Sequence, residues 1–258
     1  MGSSTSTDKL ENAKLGLIIA LPCFNSSFKA LETIKAIHDA LSSTTRDWKI
    51  LAIDDGSVDD TAIAIKRGQD KYGPNRVEFI QHRKNRGLGF SIKEAVNHSD
   101  CDYFMWLPGD NDVSVHAIKS MFSSIDQADM CTIYRINRND RGILRTLVSD
   151  ILNMLHMLCF REFLLYVTSP GIYRYSLLKK LRLKSNRFGI CAEINTLMYL
   201  TSRVVAQIPF HAQTGDSGSS ALKIRNILEM MWSFINLSIS CIKLRRRDKA
   251  PPRHISIS

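Results

Sequence analysis

Through the first half of the chain, short apolar runs alternate with segments of helical periodicity, and each run stops at a polar cluster. The runs are GLIIALP (16–22), KILAID (49–54), VEFIQ (77–81), YFMWLP (103–108) and MCTIY (130–134). Between them, residues 28–42, 59–72, 88–98 and 114–124 read as helices. Continuous apolar strands joined by crossover helices make a mostly parallel sheet covered on both faces. The expected fold class is therefore α/β. In open sheets of this kind, ligands bind beyond the carboxyl ends of the strands, so the strand-end clusters are the candidate site.

Those clusters have individual chemistry. The first run ends in Pro22-Cys23-Phe24-Asn25 and the second in Asp54-Asp55-Gly56-Ser57, followed by Val58-Asp59-Asp60-Thr61. Asp54 and Asp55 close a buried strand, where carboxylates can accept hydrogen bonds from a base or a ribose. Asp59 or Asp60 can cap the following helix. The third run leads to Asn85-Arg86-Gly87-Leu88-Gly89, whose glycines allow a ligand to approach the backbone and whose Arg86 can meet a phosphate. The fourth leads to Pro108-Gly109-Asp110-Asn111-Asp112. Asp110 and Asp112, at i and i+2 just past a strand, can aim hard oxygen ligands at one Mg²⁺ or Mn²⁺ that bridges phosphates. Each cluster alone is a common loop pattern. Their order at successive strand ends is what points to a site.

On LPCFN, AIDDGSVDDT, NRGLGFSIKEAV, the strand ending at GDND, and ADMCTIYR, residues 15–135 resemble the family 2 glycosyltransferases. The resemblance implies their GT-A (Rossmann-like) fold. Within the family the chain is most similar to polyprenyl-phosphate sugar synthases of the dolichol-phosphate mannose type, and that narrower likeness reaches to about residue 220. By resemblance, Pro22, Phe24 and Asn25 pack on a nucleotide, Asp54 and Asp55 contact base and ribose, and Arg86 and Gly87 lie beside the donor. Asp110 matches the second acid of the family's DxD motif and Asp112 a further metal ligand, which implies Mg²⁺ or Mn²⁺. Arg135 matches an arginine that reaches the phosphates, and Glu193 falls near an acidic position of the second half. The implied activity is inverting transfer of a sugar from a nucleotide-sugar donor to a lipid-phosphate acceptor.

The chain also departs from the pattern. The first acid of DxD is Pro108, and the acid that often follows the Asn25 position is Ser26. No Asp precedes the turn at VTSPG (167–171), which leaves Glu193 and Asp216 as the candidates for a catalytic base. A lipid phosphate is already an anion and needs little base help, whereas a sugar hydroxyl needs one. Two other readings therefore stand beside the first: a saccharide acceptor in envelope glycan synthesis, and a non-catalytic sugar-nucleotide-binding or assembly protein.

Charge divides the chain. Residues 1–130 hold 15 Lys and Arg against 18 Asp and Glu, while residues 131–258 hold 20 against 7. A basic second half suits an anionic partner. Residues 143–167 read as an apolar helix and 221–244 as a second, with KLRRRDK following at once. An amphipathic helix beside a basic cluster can lie on an anionic membrane surface. The same helices would serve equally as core or as an oligomer contact. The cleanest apolar stretch, Met230–Ile242, is too short to span a bilayer. No aromatic-interleaved basic platform supports nucleic-acid binding. Six cysteines without CxxC spacing and an N-terminus without an apolar leader suggest a reducing, cytoplasmic setting, with peripheral contact to the cytoplasmic membrane face. The expected organisation is a disordered tail (1–14) and a glycosyltransferase domain (15–220). That domain divides into a nucleotide-sugar half (15–135) and an acceptor half (136–220). An apolar or interfacial helix with a basic tail (221–258) follows.

Overall fold

Alternation along the first strand sets the layers. In β1 (Leu15–Cys23), Leu17, Ile19, Leu21 and Cys23 join one buried cluster while Ile18 and Ala20 join another. Side chains of a strand alternate between faces, so a strand apolar at every position must be covered on both. α1 (Ser27–Leu41), α2 (Thr61–Tyr72) and α4 (Val115–Ser123) pack on the first face. α3 (Leu88–His98), α6 (Tyr175–Leu178) and α7 (Gly189–Thr201) pack on the second. The computed structural model describes residues 15–137, 143–212, 232–239, 251–255 and 257. The expected tail 1–14, Asp216 and the basic cluster after residue 242 lie outside the described residues.

The remaining strands are β2 (Trp48–Asp54), β3 (Val77–Gln81), β4 (Cys101–Trp106), β5 (Met130–Arg135), β6 (Gly171–Arg174), β7 (Val204–Phe210) and β8 (Arg253–Ile255). They form one sheet in the order β3-β2-β1-β4-β6-β5-β7-β8. Only β6 runs against its neighbours. The strand order reverses direction at β1 and β4, and the carboxyl ends of β1 and β2 finish level, Cys23 opposite Asp54. The strands and helices expected for residues 15–135 are all present, with ends that move by at most a few residues.

The second half departs further. The helix expected over 143–167 is α5 (Ile143–Phe160), and it ends because Arg161 takes a left-handed φ of 53°. The segment that follows is held by side chains instead of helical bonds. The Leu165 amide donates to Gln207 Oε1 at 2.7 Å, Gln207 Nε2 donates to the Phe163 carbonyl at 2.8 Å, and the Val167 amide donates to Asn153 Oδ1 at 3.0 Å. The expected basic tail contributes a strand: β8 extends the sheet edge beside β7, with the Arg253 amide donating to the Arg203 carbonyl. Of the expected 221–244 helix, residues 232–239 are described and helical. Ser233 and Leu237 are buried against the body, whereas Trp232, Ile235 and Ile239 are exposed. No helix among the described residues is long and apolar enough to cross a membrane.

The junction of β5, β6 and β7 hangs on Asp129. Its Oδ1 accepts from Arg174 Nε at 2.8 Å, and its Oδ2 accepts from the Arg203 amide at 2.8 Å and the Val204 amide at 3.3 Å. Partial burial alone would raise its pKa, but these donors outweigh that and hold it below the usual range. Asp129→Ala is expected to cost about 2–3 kcal/mol in urea unfolding, because it leaves several donors without their acceptor. With the native pKa depressed, this stabilisation is present above the unfolded carboxyl value, near 3.9, and is lost as pH falls through the lower native value. A variant whose midpoint matches the parent at neutral pH would refute the role.

Candidate active site

The edge where β1, β2 and β4 end collects four of the predicted clusters. Pro22 is buried, and its carbonyl accepts from the Gly109 amide at 3.3 Å, which ties the β1 end to the GDND loop. The Asp55 amide donates to the Cys23 carbonyl at 2.8 Å, which ties the same strand to the DDGS turn. Phe24 and Asn25 project at the surface beside them. Asn25 has a left-handed φ of 49°; its amide donates to Ser57 Oγ at 3.0 Å and its Oδ1 accepts from the Val58 amide at 3.1 Å. Asp59 does not cap α2 as N-cap; its carboxylate accepts from the hydroxyls of Ser27 and Thr61, and Thr61 Oγ1 accepts from the amides of Ser26 and Ser27. The first turns of α1 and α2 are thereby fastened together.

The two acids of the DDGS turn differ. Asp54 is fully buried, with Oδ1 accepting from the Ser57 amide at 2.9 Å and Oδ2 from Gln81 Nε2 at 3.1 Å. Asp55 binds the loop that follows β3. Its Oδ1 accepts from the Arg86 amide at 2.8 Å and lies 2.8 Å from His82 Nδ1, and its Oδ2 accepts from the Gly87 amide at 2.7 Å. Three of the roughly four acceptor positions of this carboxylate are therefore filled by protein. The far side of His82 meets Glu94 Oε2 at 2.6 Å. An acid–imidazole–acid chain thus runs from the end of β2 to α3. Sequence reasoning passed over His82 and Glu94, because no local spacing links residue 55 with 82 or 94.

The glycines serve this packing. Gly56 has φ +71°, and a Cβ there would meet the Lys84 carbonyl carbon at 2.4 Å. Gly87 has φ +97°, and a Cβ there would meet the Asn186 carbonyl oxygen at 2.5 Å. At Gly87 the space a side chain would need is filled by the protein's own 186–187 segment. That segment is positioned by Glu193, which is buried and accepts from the amides of Lys184 at 2.9 Å and Ser185 at 2.8 Å. Both Glu193 oxygens are thereby engaged in holding backbone. Arg86 is exposed, with its guanidinium 3.2 Å from the Phe90 ring centroid.

Negative charge is concentrated at the end of β1 and in the loop after β4. The buried Cys23 thiol is pushed up by burial and by the carboxylates of Asp54, Asp110 and Asp59. Asp110 is solvent-accessible as a residue, yet its carboxyl is raised, first by desolvation in the loop and then by Asp112. The Asp112 amide donates to Asp110 Oδ1 at 3.3 Å across Asn111, whose φ is 58°. Among the described residues no group of three His, Cys, Asp or Glu side chains converges as a metal cage. Two hard carboxylates on one tight turn nevertheless suit Mg²⁺ or Mn²⁺, since Mg²⁺ commonly takes one or two carboxylates and completes its shell with waters and substrate phosphates. Arg135 is brought to the same sheet edge, at the end of β5. It is buried, and its Nε donates to the carbonyl and Oδ1 of Asn137, each at 3.2 Å.

The sequence profile of glycosyl transferase family 2 matches residues 18–192. The chain belongs to this family. It is similar to the undecaprenyl-phosphate 4-deoxy-4-formamido-L-arabinose transferases of Salmonella choleraesuis and Salmonella typhimurium, with 22% identity over 222 residues. That alignment covers 84% of this chain and 65% of each relative, so the chain spans about two thirds of the length of these curated relatives. Among solved structures it resembles glucosyl-3-phosphoglycerate synthase from Mycobacterium tuberculosis in complex with Mg²⁺ and UDP. The TM-score there is 0.66 at 12% identity, covering 92% of this chain and 85% of that one. It also resembles S. aureus TarS 1-349 in complex with UDP-GlcNAc, with a TM-score of 0.57 at 16% identity, covering 86% and 66%. At these identities the likeness establishes the GT-A fold.

The Asp55–His82–Glu94 chain has a pH signature. Burial disfavours the imidazolium, but the hydrogen bonds to Asp55 and Glu94 outweigh it and raise the His82 pKa above the usual value. A raised native pKa gives stabilisation that is complete below the unfolded value, near 6.5, and is lost as pH rises through the native value. His82→Gln is expected to lower the melting temperature by roughly 3–6 °C near pH 6 and by clearly less near pH 9. A gap that stays constant across that range would contradict the assignment.

Proposed function

We propose that the protein is a metal-dependent inverting glycosyltransferase that moves a sugar from a nucleotide-sugar to a polyprenyl-phosphate-type lipid. The observation that carries this reading is the gathering of Pro22–Asn25, Asp54–Asp55, Arg86–Gly87 and Asp110–Asp112 at one sheet edge of a family 2 chain. In this reading the nucleotide lies across the ends of β1 and β2, with the base and ribose toward Phe24, Asn25 and Asp54. Asp55 acts indirectly by holding the Arg86–Gly87 loop against the donor. Asp110 and Asp112 would hold Mg²⁺ or Mn²⁺, which supplies charge neutralisation for the departing nucleoside diphosphate. Arg135 adds positive charge from the β5 end. An acceptor phosphate oxygen attacks the anomeric carbon from the face opposite the diphosphate, the sugar–diphosphate bond breaks, and the configuration inverts.

Three observations support a lipid phosphate as acceptor. The relatives named above are undecaprenyl-phosphate sugar transferases. Both Glu193 oxygens are engaged by backbone amides, and a phosphate acceptor needs no general base. Exposed apolar side chains on α5 and on 232–239 fit peripheral contact with a lipid surface.

The test is turnover of a panel of UDP- and GDP-sugars with a long-chain polyisoprenyl monophosphate in detergent micelles, with Mg²⁺, Mn²⁺ or EDTA. One donor is expected to react, and only with metal. Asp110→Asn is expected to lower kcat/KM roughly 100-fold or more, the scale of several kcal/mol of lost charge stabilisation. The same variant should melt slightly higher at neutral pH, because a carboxyl with a raised native pKa opposes folding once ionised. Full turnover in EDTA, or an active Asp110→Asn, would refute the metal role.

A further inference from the structure

His82 is buried between two carboxylates at the base of the Arg86–Gly87 loop. Its Nδ1 lies 2.8 Å from Asp55 Oδ1 and its Nε2 2.6 Å from Glu94 Oε2. A neutral imidazole has one N–H and one lone pair, whereas both nitrogens of an imidazolium donate. Both contacts therefore hold only while the three groups share two protons. Loss of one proton to solvent sets a lone pair against a carboxylate oxygen, and one contact must open. The surroundings decide which. The Asp55 side chain is 4% exposed and also accepts from the Arg86 and Gly87 amides. The Glu94 side chain is 32% exposed, so its carboxylate can enter water at little desolvation cost. The neutral ring then keeps Nδ1–H on Asp55, and Glu94 is released.

The space that receives Glu94 is basic. Glu94 lines a cleft beside α3 with Lys84, Arg86, Lys93 and His98. Lys93 donates to Asn186 Oδ1 and to the Lys184 carbonyl, and His98 Nε2 lies 2.9 Å from Glu78 Oε1. The Arg86 guanidinium rests on the Phe90 ring, and Phe90 precedes Glu94 by four residues on α3. Residues four apart are neighbours on a helix surface, so the released carboxylate lies beside the ring that carries Arg86. The other groups packed against His82 do not titrate: the Phe90 ring stands edge-on at 5.5 Å, and the Asp54 carbonyl accepts from the His82 amide at 2.9 Å.

We infer that His82 and Glu94 are positioning residues for the nucleotide donor: the protonated pair keeps Glu94 off Arg86, and its deprotonation frees Glu94 to pair with Arg86 and to oppose an anionic ligand. The inference rests on the donor reading above and adds to it a charge beside Arg86 that a proton controls. Burial lowers the His82 pKa, but the hydrogen bonds to Asp55 and Glu94 outweigh it and hold the value above its usual level near 6.5. The Arg86 contribution to donor affinity is therefore complete below that level and is lost as pH rises through the native value. Linkage is reciprocal, so bound nucleotide raises the His82 pKa further.

Equilibrium binding of UDP and of GDP with Mg²⁺ is measured on the full chain from about pH 6 to about pH 9, for wild type and Glu94→Gln. A glutamine amide can donate to Nε2 while Nδ1–H stays on Asp55. The variant therefore satisfies a neutral His82 and has no charge to release. Nucleotide phosphates and Asp110 titrate in both proteins, so the ratio of the two affinities isolates Glu94. Near pH 6 the two proteins are expected to bind alike. Near pH 9 the wild type is expected to bind roughly fivefold weaker than Glu94→Gln, the lower end of coupling between linked groups. A ratio that stays constant across the range would overturn the inference. The His82 ring is also followed by NMR titration, its signals assigned through His82→Gln. Saturating nucleotide should move the wild-type titration to higher pH, and an unmoved titration would overturn the coupling even if Glu94→Gln fails to fold. Without nucleotide, the ring should titrate at lower pH in Glu94→Gln than in wild type, and coincident curves would overturn the His82–Glu94 contact. If neither nucleotide binds at any pH while these two curves differ, the donor reading falls, and the coupling with it, but the contact stands.

Discussion

The site depends on a single buried carboxylate. Asp55 sits at the end of β2 and is satisfied by groups from a loop about thirty residues further on: the amides of Arg86 and Gly87 and the ring of His82. A buried ionised carboxylate is costly unless it is paired and hydrogen-bonded. Here that requirement gathers three chain segments around one point. The loop it captures begins α3, α3 abuts the 186–187 segment, and that segment is held in turn by Glu193 of α7. That sheet edge and the second half of the chain are thereby built as one unit. His82 and Glu94 extend the chain of charges outward, so the anchor also carries a titratable group.

Against this rigid frame stands an electrostatic conflict. Cys23, Asp54, Asp59 and Asp110 crowd the β1 end, and burial and the Asp112 carboxylate raise the cost of ionising Asp110. A fold selected for stability alone would not concentrate negative charge there. A bound cation would relieve the conflict, which is the physical argument for the proposed Mg²⁺ or Mn²⁺. With Pro108 in place of the first acid of the DxD pattern, Asp110 and Asp112 remain as two carboxylates on one turn that could hold the proposed metal. Arg135 lies at the β5 end of the same sheet edge, and the second half of the chain carries the basic excess in sequence, charge that would suit an anionic acceptor.

Much of the sheet was legible in the sequence because the constraint is local. A strand such as ILAID, buried on both faces, must be apolar throughout and must stop where acids begin, so β2 and its Asp54–Asp55 end could be read directly. β1 is buried in the same way, and β4 and β5 over most of their length, whereas β3 lies at the sheet edge with Val77 its one buried residue. Where tertiary contacts decide, the reading lost its grip. The end of α5 at Phe160 depends on Arg161 entering the left-handed region and on Gln207, more than forty residues away, bonding the loop backbone. Strand β8 hides among prolines and basic residues, and only the open edge of β7 makes it a strand. The placing of the candidate residues at strand ends was legible, but their hydrogen-bond partners were not. Asp55 and Glu193 have the right chemistry for ligand and base roles, yet the structure engages both in bonds to backbone amides. His82 had no sequence signal because its partners come from β2 and α3.

The central claim is that the edge organised by Asp55 is a nucleotide-sugar donor site with a metal at Asp110 and Asp112. Its most direct test is a crystal structure of the full chain with UDP or GDP and Mn²⁺, using the anomalous signal of the metal. The claim predicts a peak bonded to Asp110 and Asp112 and to diphosphate oxygens, with the base beside Phe24 and Asp54. A nucleotide bound elsewhere, or a metal that leaves both carboxylates unengaged, would contradict it.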